Sequence, residues 1–112
     1  MKHLDLGFSI ADGSYPELKA SEGSLLVRFV TSGGKVESFQ FVSVAAYSWQ
    51  EGEIALAPGE PWDGACELDQ SAFLASHPIG STMHTIGVPR HFRLRFHPWG
   101  CLDVLSNSFA VA

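Results

Sequence analysis

Arg90-His91-Phe92-Arg93-Leu94-Arg95-Phe96-His97, then Pro98-Trp99-Gly100, then Cys101-Leu102-Asp103-Val104, is the stretch that decides the fold. Phe92, Leu94 and Phe96 alternate with His91, Arg93, Arg95 and His97, and Leu102 and Val104 flank Asp103 in the same rhythm. Successive side chains of a strand point to opposite faces, so this alternation reads as two strands sharing one buried face. Proline suits the first position of a turn and glycine its left-handed position, which makes Pro98-Trp99-Gly100 the expected loop. That loop sets Phe96 opposite Leu102, Leu94 opposite Val104, Arg95 opposite Asp103 and Cys101 opposite His97. A one-residue slip would drive Phe96 against Asp103, so burial determines which face is which.

The same rhythm recurs upstream. Leu4, Leu6, Phe8 and Ile10 alternate with polar or small residues until Asp12-Gly13-Ser14-Tyr15-Pro16 breaks the pattern. Pro16 to Gly23 reads as a polar connection with room for one helical turn. Ser24 to Thr31 is a second strand, Ser32-Gly33-Gly34-Lys35 a hairpin turn, and Val36 to Tyr47 a third strand. Glu53 to Ala57 is a weaker fourth, and Pro58 to Gly64 is loop by composition. Asp69 is placed to cap a short helix over Gln70 to Ser76, which Pro78 would end. Phe109 and Val111 supply a last apolar anchor.

Eight Phe, three Trp, eleven Gly and six Pro among 112 residues favour short strands and tight turns over a helical bundle. A chain of this length forms one domain, residues 1–112. The expected fold is mainly β, an antiparallel sandwich or half-open barrel of about six strands with one short helix.

Charge is divided sharply along the chain. From Val36 to Pro89 there is no Lys or Arg, while Glu37, Glu51, Glu53, Glu60, Asp63, Glu67 and Asp69 lie there. Arg90, Arg93 and Arg95 then follow within six residues. The formal net charge of −5 argues against general binding to nucleic acid, which needs a basic footprint. No apolar run approaches membrane-spanning length, and Asp5 stands where a signal peptide would need apolar residues. A cytoplasmic protein without a membrane partner is expected, with Cys66 and Cys101 as free thiols.

No catalytic residue can be named. There is no GxSxG, HExxH or phosphate-cradling glycine loop. His77, His84, His91 and His97 lack the paired short spacings of a zinc site, and on one strand His91 and His97 would stand about 20 Å apart. No metal or cofactor is expected. Cys101 with His97 lacks a third group and an oxyanion site, so an inert buried thiol is the plainer reading. Two surfaces remain. An acidic face of Glu51, Glu53, Glu60, Asp63, Glu67 and Asp69, with Trp62 as apolar anchor, would suit a basic protein partner. Alternatively, His91, Arg93, Arg95 and His97 form a basic stripe with same-face spacing of about 6.5–7 Å, fit to hold an anion or small ligand. That stripe can equally be an outer sheet face whose arginines pair with Asp103 and other carboxylates of the chain. Trp49, Trp62 and Trp99 fall in or beside turns, either as interface anchors or as lids over one end of the core.

The runs Arg90 to Phe96, Gly100-Cys101-Leu102-Asp103-Val104-Leu105 and Ser108-Phe109-Ala110-Val111, with Phe41 to Tyr47, resemble small uncharacterised bacterial β-rich proteins. Some of those are thought to be immunity partners of bacterial toxins. The resemblance implies a bacterial single domain and a non-enzymatic immunity or antitoxin role, engaging a basic toxin or enzyme. A small-ligand or anion-binding module, with enzymatic chemistry left open, is the alternative. The sequence names neither partner nor oligomeric state.

Overall fold

The computed structural model describes residues 2–52, 64–68, 73 and 90–111. Among these lie nine strands: β1 (Lys2–Leu4), β2 (Glu17–Ser21), β3 (Ser24–Val30), β4 (Val36–Val42), β5 (Ala46–Glu51), β6 (Gly64–Leu68), β7 (Arg90–Phe96), β8 (Gly100–Ser106) and β9 (Ser108–Val111). They form two antiparallel sheets packed face to face. One has the order β1-β6-β7-β8-β5, the other β2-β3-β4-β9.

The core lies where the two inner faces meet. Leu25, Val27 and Phe29 of β3 and Phe39 and Phe41 of β4 face Phe92, Leu94 and Phe96 of β7 and Leu102 and Val104 of β8. Ring pairs tie the layers together, with centroids 5.9 Å apart for Phe41–Phe92 and 5.3 Å for Phe29–Phe96. Phe109 reaches Phe92 at 5.0 Å, which makes β9 the anchor its alternation implied. Each ring removes a large apolar area from water, and the offset and edge-on contacts add to that burial.

Several local readings change. Pro16 to Gly23 is no helical turn: it holds β2, joined to β3 by Glu22 and Gly23 at φ 28° and 79°. Two positive-φ residues make the tight hairpin turn whose twist matches its strands, and a glutamate at the first position hides it from inspection. The long third strand splits at Ser43, whose φ of 51° turns the chain out of the four-stranded sheet and into β5 of the other. Asn107 makes the reverse crossing between β8 and β9, donating to Val42 O at 3.3 Å. Leu6, Phe8 and Ile10 do point inward, but the ladder ends at Leu4. Gly64 to Leu68 is strand, held between β1 and β7. The strand expected over Glu53 to Ala57 and the helix expected over Gln70 to Ser76, Phe73 excepted, lie outside the described residues.

The β7–β8 hairpin keeps its predicted faces but shifts by two residues. His97, Pro98 and Trp99 form the loop, and Gly100 pairs with Phe96, Leu102 with Leu94, and Asp103 with Arg93. Gly100 is in the strand because nothing larger fits. A Cβ there would stand 2.4 Å from Gln50 O and 2.6 Å from the Trp49 ring. A shift of two leaves every side chain on its own face, so the alternation could not distinguish the two registers.

Candidate functional site

The stripe His91, Arg93, Arg95 lies on the face of the five-stranded sheet turned away from the core, yet His91 and Arg95 are buried. Arg93 pairs with Asp103 rather than Arg95 doing so. Asp103 Oδ1 accepts from Arg93 Nε at 2.7 Å and lies 2.5 Å from His91 Nε2. The carboxylate can only accept, so His91 Nε2 carries the proton in that bond. Phe73 lies against the His91 ring, with centroids 5.2 Å apart. Burial pushes the Asp103 carboxyl up, but the hydrogen bonds from His91 and Arg93 outweigh it and hold the group below its ordinary value. The anion seated in this stripe is therefore the protein's own, and an added anion would compete with Asp103 for Arg93. His97 stands apart from the ladder, in the turn.

Cys101 lies opposite Arg95, not His97, and Cys66 lies opposite Arg93. Both thiols are buried and unbridged. With β7 between their strands and a two-residue offset, their Cα atoms stand about 12 Å apart, too far for a disulfide. Thiol titration of the denatured, unreduced chain should therefore count two. A count of zero would contradict this arrangement. Among the described residues no three His, Cys, Asp or Glu side chains converge as metal ligands.

Of the expected acidic face, Glu51 and Glu67 are described; Glu53, Glu60, Trp62, Asp63 and Asp69 lie outside the described residues. Three strand spacings and four residues of offset separate Glu51 from Glu67, about 19 Å, so the two carboxylates act separately. Glu67 is paired within the chain. Its oxygens accept from Arg90 Nη2 at 2.6 Å and Nε at 3.0 Å, and the guanidinium carbon stands 4.9 Å from the Phe92 ring centre. The bond from Arg90 lowers the Glu67 pKa, and the same contact raises that of Arg90.

Glu51 is different. It accepts a hydrogen bond from the neutral Tyr15 hydroxyl, which raises the phenol's pKa above its ordinary value. Among the described residues no Lys, Arg or His pairs with Glu51. Tyr15 stands edge-on to Trp49 and Trp99, at 5.4 Å and 5.8 Å. Trp49 continues inward to Phe96 at 6.1 Å. Trp99 Nε1 donates to Gly13 O at 2.8 Å, and Asp12 N donates to His97 O at 2.7 Å, so residues 12–15 are laced to the β7–β8 loop. Gly13 lets this segment lie close against the end of β3, since a Cβ there would stand 2.4 Å from Val30 O. Trp49 and Trp99 thus serve as lids over one end of the core. Tyr15 and Trp99 nonetheless stay 44% and 40% exposed, beside a carboxylate that no cation among the described residues pairs with.

Tyr15 had no signal in the sequence beyond its place in a turn. Nothing local links it to Trp99, which only tertiary folding brings near. No protein-family model, curated protein or solved structure matches this chain.

Proposed function

We propose that this is a non-enzymatic, cytoplasmic binding protein that engages a basic protein partner, in the manner of an immunity or antitoxin-type protein. The observation that carries the reading is the exposed Tyr15–Trp99 pair beside the exposed carboxylate of Glu51. Aromatic rings at a surface supply contact area at small cost in side-chain order, and a carboxylate at their edge selects for positive charge. A net charge of −5 adds long-range attraction toward a basic surface. Glu53, Glu60, Asp63 and Asp69, with Trp62, belong to the same proposed acidic partner surface by their place in the sequence, whereas Glu67 is paired to Arg90.

Oligolysine titrated into isotope-labelled protein provides the test. Amide shifts should centre on Tyr15, Glu51 and the Trp99 indole, and weaken as salt is raised. Changing Glu51 to Gln should leave stability within about 0.5 kcal/mol, as for an exposed site. The same variant should weaken binding and flatten its salt dependence. Shifts scattered evenly over the surface, or undiminished binding by the variant, would overturn the reading.

A further inference from the structure

The molecule already shows how it holds a guanidinium. At Glu67, Arg90 places two nitrogens on the two carboxylate oxygens while its central carbon lies 4.9 Å from the centre of the Phe92 ring. Carboxylate, guanidinium and ring are satisfied together, because a planar cation can present its edge to the acid and its face to the ring. The corner at the far end of the sheet has the same acid and ring components with no cation among the described residues. Glu51 is exposed, its hydrogen-bond donor is the uncharged Tyr15 hydroxyl, and Tyr15 and Trp99 present open ring surface. Both carboxylates sit on the side of the five-stranded sheet that faces the second sheet, Glu67 opposite Phe92, and Glu51 across Gly100 from Phe96.

We propose that the Tyr15–Trp99–Glu51 corner receives an arginine side chain of the partner, stacked on an aromatic ring and hydrogen-bonded to Glu51. This rests on the basic-partner reading above and deepens it. Arginine fits better than lysine because the ammonium is a compact, strongly hydrated charge that cannot use ring face and both carboxylate oxygens at once. Tyr15 donates to one oxygen of Glu51, and no described residue donates to the other, so the incoming guanidinium can take the second oxygen and either share the first or displace the phenol.

A blocked glycine peptide with one central arginine, with its lysine and citrulline counterparts, provides the probes. Binding is followed on the Trp99 indole N–H resonance, which the hydrogen bond to Gly13 O keeps distinct. The arginine peptide should bind about fivefold more tightly than the lysine peptide, consistent with a cation–π contact plus a charge-assisted hydrogen bond. The citrulline peptide should bind more weakly than either. Glu51→Gln should reduce the preference for arginine over citrulline to what the ring contact alone supplies. Tyr15→Phe keeps the ring and frees the oxygen, so it should bind arginine at least as well as the parent. Equal binding of arginine and lysine, both above citrulline, would overturn the arginine assignment and leave the basic-partner reading standing. Equal binding of all three peptides would overturn both.

Discussion

Truncating Phe96 to alanine should lower the unfolding free energy by about 3–5 kcal/mol in urea titrations, the range for removing a buried aromatic ring from a core that cannot collapse. Phe96 is fully buried at the junction of both layers, against Phe29 of the four-stranded sheet and Trp49 of its own. The neighbourhood has little freedom to close the gap. Gly100 opposite contributes no side chain, and Trp49 is held between Tyr15 and the Gly100 backbone. Tyr47→Ala, at an exposed position of β5, is the control and should cost far less. A loss near zero at Phe96 would mean that this hairpin does not bury the face assigned to it.

The parts of this fold that were legible are those where burial acts on one residue at a time. Alternation correctly sent Phe92, Leu94, Phe96, Leu102 and Val104 inward and correctly kept His91, Arg93, Arg95 and Asp103 together on the other face. It could not choose between registers two residues apart, because both satisfy burial equally; the contact of Gly100 with Trp49 chooses, and that is tertiary. β2 was hidden because Glu-Lys-Ala-Ser content resembles an exposed connection, and only its ladder to β3 makes it a strand. β6 was hidden for a related reason, since Gly64 to Leu68 has no clean alternation and takes its conformation from β1 and β7 on either side. The candidate site was legible only in part. Glu51 stood out for its place in a segment without basic residues, whereas the pairing of Glu67 with Arg90 spans 23 residues and the hydrogen bond from Trp99 to Gly13 spans 86. Separations that long leave no local pattern.

Asp103→Ala should also cost about 3–5 kcal/mol near neutral pH, the penalty for removing one member of a buried hydrogen-bonded charge cluster. The loss is more than one salt bridge. His91 is wholly buried and Arg93 half-buried, and both give hydrogen bonds to Asp103 Oδ1. Without that oxygen the imidazole N–H loses its acceptor away from water, and the half-buried guanidinium loses its charged partner. The pH dependence separates this electrostatic role from mere packing. Asp103 is held below its ordinary value by His91 and Arg93 against the opposing effect of burial. A carboxyl depressed in the folded state contributes stability that is fully present above its unfolded value of about 3.9 and is lost as pH falls through the lower folded value. The parent should therefore lose stability relative to Asp103→Ala as the solution is acidified below about pH 4. Asp103→Asn, which keeps an acceptor oxygen but not the charge, should fall between the two at neutral pH. If the parent and both variants instead ran parallel to the lowest pH, the carboxylate would not be the charge that holds Arg93 and His91 in place.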